Sequence, residues 1–167
     1  MYNERPRIQI QQTSIDRWLD AISYLLLTFL IAYPVYLYSS LPEPSAVHAD
    51  ISRHLSSYKS KEIILILPTL GAFLFIMFTI LLRYPHLYNY PEKITEENVL
   101  SVYTGGIRFM RIMRIWVLFI FILIVRGSMG IALNRQDDFL KWILPIVFLF
   151  TAMLIIYVFI KLLRIKK

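Results

Sequence analysis

The chain has 167 residues, of which 57% are hydrophobic and 15% aromatic, and it carries a formal net charge of +7. Only 17% of its residues are charged, against about 25% in ordinary soluble domains, and the absence of cysteine excludes disulfide bonds and thiol chemistry. Because the positive charge is scattered over the ends of apolar runs, a membrane surface explains it better than nucleic acid, which we do not expect as a partner.

Four apolar runs predict four transmembrane helices, because about 20 mostly apolar residues cross a bilayer as a helix. The runs are continuous rather than alternating, which disfavours a barrel. The first run contains Asp20 near its start, and the third is interrupted by Arg114 and Arg126. We therefore expect a single all-α domain over residues 1–167, a polytopic protein surrounded by the lipid bilayer. The predicted spans are residues 18–38, 63–82, 112–133 and 139–160.

The distribution of lysine and arginine predicts the orientation. The two termini and the connection at residues 83–111, with its junction to the third span, carry about twice as many of these residues as the other side. Positive charge marks the cytoplasmic side of a membrane protein. We therefore expect both termini and the 83–111 connection inside, and the 39–62 loop outside.

The cytoplasmic connection contains two prolines, and a predicted helix start follows them. Pro85 and Pro91 each disfavour helical backbone at the preceding residue. Thr95 is a suitable N-cap, and Glu96 and Glu97 fall in the first turn, where the helix dipole favours negative charge. The pattern predicts a bend around Pro85 and Pro91, which we call the elbow, followed by a new helix.

That helix is predicted to be amphipathic, from residue 95 to about residue 111, lying near the inner surface or running on into the third span. Arg108, Arg111 and Arg114 follow at three-residue steps on one face. We expect these arginines at anionic headgroups. Two interpretations of the connection stay open, a rigid connector and a docking site for a cytoplasmic partner.

The sequence of this connection resembles a family of small bacterial membrane domains of unknown function. The same domain forms the front part of Sdp-type immunity proteins, which protect a cell from a secreted killing factor. The resemblance covers roughly residues 20–135 and implies a bacterial plasma membrane and an immunity-type role. Its inner motif falls on Asn89, Tyr90, Pro91, Ile94, Thr95, Glu96, Glu97 and Asn98, with Tyr103 shortly after.

The outer loop holds the candidate binding residues. The family pattern there is kept at His48, Tyr58, Ser60 and Lys61, while several family glycines are replaced. The resemblance implies recognition at the outer face, with His48 and Lys61 as the best candidates.

A second interpretation of the loop is a zinc site. Nitrogen and carboxylate donors suit zinc, and His48, Asp50 and His54 supply three of them. Their spacing matches no recognised signature, so we predict no metal and no cofactor. A solvated loop with incidental histidines remains the third interpretation.

Arg126 is the third candidate binding residue, because ionisable groups inside a membrane are functional candidates by default. The alternative is snorkelling to the outer surface. Three prolines, Pro34, Pro68 and Pro145, lie about one turn inside the predicted outer ends of their spans. If they splay these ends, Arg126 lies at the base of a shallow outward-facing cavity.

No catalytic constellation is visible, since a hydrolase needs a nucleophile, a base and an orienting group close together. We expect a non-enzymatic binding, envelope-stress or immunity-type protein with a membrane or cytoplasmic partner. The alternative is a subunit of a transporter or channel complex. The sequence leaves the oligomeric state open.

Overall fold

A computed structural model describes residues 5–41, 65–91, 93–133, 141–142, 145–153 and 156. All the regular structure in these ranges is helical, which confirms the predicted all-α class. Three long helices follow in chain order, and the described part of the fourth predicted span is also helical. The long helices are α1, Ser14–Leu37, α2, Ile66–Leu81, and α3, Val99–Ala132, with short 3-10 turns at Tyr38–Ser40 and Pro85–Leu87.

Helix α1 begins at a capping box, four residues before the predicted span. The Thr13 hydroxyl accepts a hydrogen bond from the backbone N–H of Asp16 at 3.4 Å. The Asp16 carboxylate in turn accepts from the Thr13 backbone N–H at 2.9 Å and from its hydroxyl at 2.7 Å. The helix continues through the buried Pro34 to Leu37, so this proline does not end it.

Helix α3 unites the predicted amphipathic helix and the predicted third span. It has 34 residues, or about 51 Å at 1.5 Å per residue, which is longer than the roughly 30 Å hydrocarbon core of a bilayer. Of the two placements predicted for the amphipathic segment, the structure shows the continuous one.

The three helices pack side by side around an apolar core. Helices α1 and α3 run parallel, since Asp16 contacts Arg108 and Asp20, one turn further along α1, contacts Arg114, further along α3. Helix α2 runs antiparallel to both, because Thr79 near its end contacts Arg114 while Gly71 near its start faces residues further along α1 and α3. The buried core residues include Leu30, Phe75, Leu118, Val125 and Met129.

Large apolar side chains cover the outside of the bundle. Within the part of the chain that the structure describes, two helical segments, Ser14–Ser40 and Val99–Gly130, are long and apolar enough to cross a membrane, and Ile66–Leu81 is a shorter apolar helix. The most exposed apolar side chains include Trp18, Leu25, Tyr36 and Phe73. An exposed apolar surface of this extent is expected of a protein that faces lipid or a partner.

The start of α3 gives the first testable prediction. The Thr95 hydroxyl accepts from the Asn98 backbone N–H at 3.4 Å, and the Asn98 side-chain oxygen accepts from the Thr95 N–H at 2.8 Å. Thr95→Ala and Asn98→Ala should each lower the free energy of unfolding by about 1 kcal/mol, because each exposes unsatisfied backbone donors at the helix start. Unfolding by dodecyl sulfate in mixed micelles measures this change. Glu97→Ala is the control at roughly 0.3 kcal/mol, and equal losses in all three variants would contradict the cap.

Candidate functional site

Five charged residues meet where α1 and α3 begin their contact. Asp16 and Asp20 are four residues apart on α1, and Arg108, Arg111 and Arg114 are spaced by three on α3. Residues three or four apart lie on the same side of a helix. The parallel packing of α1 and α3 therefore places the two carboxylates against the three guanidinium groups.

The five side chains form a continuous ladder of ion pairs, which we call the charge ladder. The Asp16 carboxylate lies 3.3 Å from Arg108 Nε and 3.2 Å from an Arg111 terminal nitrogen. Asp20 Oδ1 accepts from Arg111 Nε at 3.1 Å and from an Arg114 terminal nitrogen. Arg111 thus bridges both aspartates, and each aspartate has two arginine partners.

Three of the five ladder residues are buried, and Arg111 and Arg114 are among them, which corrects the expectation that these two arginines reach lipid headgroups. Asp16, Arg111 and Arg114 are 2%, 4% and 2% exposed, whereas the Arg108 side chain is 36% exposed. Desolvating a charge costs several kcal/mol unless a partner compensates for it. The prediction of one shared face was right, but that face meets the aspartates of α1 rather than the membrane surface.

Arg114 also ties α2 to the ladder. Its Nη1 donates to the Thr79 hydroxyl at 3.0 Å, and its guanidinium carbon lies 4.9 Å from the centre of the Phe75 ring. A guanidinium over an aromatic face is attracted by the ring quadrupole. The Arg114 Nε is buried and has no hydrogen-bond partner among the described residues. One side chain therefore joins all three helices.

A cavity of about 270 Å³ lies beside the ladder, which we call the ladder cavity. Polar and charged groups from all three helices line it, and residues 10–12, ahead of α1, form part of its wall. The lining residues are Ile10, Gln11, Gln12, Asp16, Asp20, Tyr24, Thr79, Leu82, Arg83, Thr104, Ile107, Arg111 and Arg114.

The segment before α1 is fastened to the elbow. A terminal nitrogen of Arg5 donates to the backbone carbonyls of His86 at 3.1 Å and Tyr88 at 2.5 Å. The Tyr103 hydroxyl donates to the Pro6 carbonyl at 3.2 Å. Residues 5–13, which we call the N-terminal strap, therefore run from the elbow along the ladder cavity to the start of α1.

The tyrosines of the elbow pack onto the first turns of α3. The Tyr90 ring stacks on Tyr103 with 5.5 Å between ring centroids, and Tyr90 lies against Gly106. The Tyr88 hydroxyl donates to the Leu81 carbonyl at 2.9 Å. Burial raises the pKa of Tyr88 to about 12, and burial, reinforced by the neighbouring tyrosines, also raises the pKa of Tyr90.

The inner motif thus divides into packing residues and exposed residues. Tyr90 and Tyr103 stack on each other. Thr95 and Asn98 form the reciprocal cap, and the Asn98 amide also donates to the Lys93 carbonyl at 2.9 Å. Thr95 is exposed, as are four further motif residues, Asn89, Pro91, Glu96 and Glu97.

The predicted outer site is not brought together with the ladder. Arg126 is half-buried on α3, and its position lies twelve residues beyond Arg114, roughly 18 Å along the helix axis. His48 and Lys61 lie outside the described residues, as do the other two potential zinc ligands, Asp50 and His54.

Sequence reasoning missed Asp16 and Thr79, and it did not assign Asp20 a role. A signal for the aspartates was present, since two carboxylates four residues apart lie at the start of one apolar run and three arginines at steps of three lie at the start of another. Ionised side chains are almost never fully buried unless they are paired.

Comparisons with protein-family models, with curated proteins and with solved structures find no match to this chain.

Proposed function

We propose that the chain is a four-span protein of a bacterial plasma membrane, with both termini in the cytoplasm, that acts without catalysis as a binding, envelope-stress or immunity-type protein. Two segments long and apolar enough to cross a membrane support the membrane assignment. The side chains that they expose, such as Trp18 and Leu25, suit contact with lipid. The likeness of the elbow sequence to Sdp-type immunity proteins supports the immunity-type role.

The observation that carries the binding role is the ladder cavity. Each of its two aspartates forms ion pairs with two arginines, so the negative charges are neutralised within the bundle. The hydroxyls of the lining threonines, Thr79 and Thr104, donate to backbone carbonyls, and no histidine stands among the described lining residues to activate them. A preformed cavity with a few convergent polar groups is the usual form of a small binding site.

The topology is testable by cysteine labelling, since the chain has no native cysteine. Single cysteines replacing Ser52, Lys93 and Lys167 are treated in intact cells with a membrane-impermeant maleimide. We expect labelling at position 52, and labelling at 93 and 167 only after the membrane is permeabilised, because only the 39–62 loop among these sites is proposed to face outward. External labelling at 167 together with protection at 93 would require an odd number of spans between these positions and would contradict the proposal.

The binding and immunity-type role is tested by survival under attack on the membrane. A strain lacking the chain should survive a membrane-permeabilising peptide less well than its parent, and expression of the chain should restore survival. Arg17→Gln, an exposed change outside the cavity, should also restore it. Equal survival with and without the chain would contradict the proposed role in envelope protection.

The second candidate, a transporter subunit, is favoured by one observation, the buried charges of the ladder. Ionisable residues in spanning segments often mark ion pathways. In liposomes containing a pH-sensitive dye, a transporter that uses Asp20 should move protons, and Asp20→Asn should abolish this flux. The proposed binding role predicts no flux from either protein.

A further inference from the structure

We propose that the ladder cavity binds a phosphate group. This inference rests on the binding role proposed for the ladder cavity and deepens it, because it names the class of ligand that the cavity takes. Its evidence is the charges, donors and size of the cavity rather than the proposed envelope protection. A failure of the survival experiment would therefore leave it standing, and its own failure would leave the four-span proposal standing.

The charge of the lining favours an anion. Arg83, Arg111 and Arg114 line the cavity together with Asp16 and Asp20. Arg111 lies between the two carboxylates, and each carboxylate has a further arginine partner. An entering cation would meet carboxylates that are already neutralised and an excess of guanidinium groups, whereas an anion is attracted by that excess.

Arg83 is the residue best placed to hold the anion. It follows the end of α2, its side chain is exposed, and it makes no ion pair with any described residue. Arginine presents a planar fork of donors that matches phosphate oxygens two at a time. Its contact with a ligand therefore requires no existing ion pair to break.

The N-terminal strap supplies neutral donors to the same cavity. Gln11 and Gln12 line it, and no hydrogen bond joins their carboxamides to another described residue. An amide nitrogen carries two donor hydrogens. The volume of about 270 Å³ lies just below the range of drug-sized pockets, roughly 300–1,000 Å³, so it suits one small anionic group rather than a large ligand.

Two sources can deliver a phosphate group to this position. The cavity lies at the end of the bundle that is proposed to face the cytoplasm, where α1 and α3 begin and α2 ends. Headgroups of anionic lipids lie at this depth, and free phosphate is present in the cytosol. The recognition chemistry is the same, an arginine fork and amide donors around phosphate oxygens.

The test uses the full chain in detergent, with thermal unfolding followed at constant ionic strength set by chloride. One arm adds inorganic phosphate, and the other adds bicelles of phosphatidylcholine with or without phosphatidic acid. Binding to the folded state raises the melting temperature with ligand concentration. Arg83→Gln should weaken the apparent affinity by about tenfold, the effect of one lost charge-assisted contact.

Arg17→Gln is the matched control, because it removes the same charge from an exposed arginine at the same end of the bundle, outside the cavity lining. It should keep the affinity of the parent. A shift with phosphate indicates a soluble ligand, and a shift with phosphatidic acid alone indicates a lipid headgroup. No shift in either arm, or equal weakening by both substitutions, would overturn the proposal.

Discussion

Asp20→Leu is expected to lower the free energy of unfolding by about 3–5 kcal/mol, the range measured when one partner of a buried ion pair is removed. The substitution leaves Arg114, which is 2% exposed, with the Thr79 hydroxyl and the Phe75 ring but without its carboxylate. The Asp20 side chain is itself 21% exposed, so the lower end of the range is expected. Dodecyl sulfate unfolding of the purified chain measures the change.

Arg108→Gln removes a more exposed member of the charge ladder, so its loss of stability can be compared with that of Asp20→Leu. Its side chain is 36% exposed while it contacts the buried Asp16, and solvent screens such a pair, so the expected cost is roughly 0.2–1 kcal/mol. Arg17→Gln removes an exposed arginine that makes no ion pair with the ladder, so it should cost less still. If Asp20→Leu and Arg108→Gln cost the same small amount, the ladder does not stabilise the bundle.

Gly106→Ala is expected to destabilise the protein by about 1–3 kcal/mol, although glycine to alanine within a helix ordinarily stabilises it by roughly 1 kcal/mol. A Cβ at position 106 would lie 2.7 Å from the Tyr90 hydroxyl oxygen and 2.8 Å from a ring carbon. The Tyr90 ring is stacked on Tyr103, so it must shift and lose that contact. The same unfolding experiment measures the sign of the change.

Gly105→Ala is the matched control, one residue earlier on the same helix. Helix propensity alone governs it in our account, so it should be neutral or stabilising by up to about 1 kcal/mol. Combining Gly106→Ala with Tyr90→Phe should recover part of the loss, because the phenylalanine lacks the oxygen at 2.7 Å. Stabilisation by Gly106→Ala would show that the elbow does not pack on α3.

The long helices were predictable because their signal is local. Continuous apolar runs and turn residues predicted helices where α1, α2 and the second half of α3 lie. The turn before α3 is equally local: Thr95 makes the reciprocal hydrogen bonds with Asn98 where residue type predicted a cap, although α3 itself begins at Val99, four residues later than predicted. The Thr13 and Asp16 capping box was missed, although its two residues have the spacing of the motif.

The candidate site was only half predictable, because it depends on which helix faces which. The spacing of Arg108, Arg111 and Arg114 gave a common face. Nothing in that spacing distinguishes a lipid headgroup from a carboxylate more than 90 residues away in the chain. The packing of Tyr90 on Gly106 has the same character, since it follows from the path of the elbow rather than from any local preference.

The predicted outer site depends on residues outside the described ranges, including His48 and Lys61, and it stays a prediction. The structure adds a different candidate at the other end of α3. The two sites can be separated experimentally, because Arg126 lies on α3 whereas Arg83 follows the end of α2, and of the two only Arg83 lines the ladder cavity.

The central claim is that the arginines of α3 are held by the aspartates of α1 inside the bundle. A double-mutant cycle with Asp20→Leu and Arg114→Met tests it most directly, through the coupling energy between the two positions. The account predicts that the double variant is less destabilised than the sum of the single variants by about 2–3 kcal/mol, because two apolar side chains can replace a buried ion pair at little cost. If the losses are additive within about 0.5 kcal/mol, Asp20 and Arg114 do not stabilise each other, and the claim is contradicted.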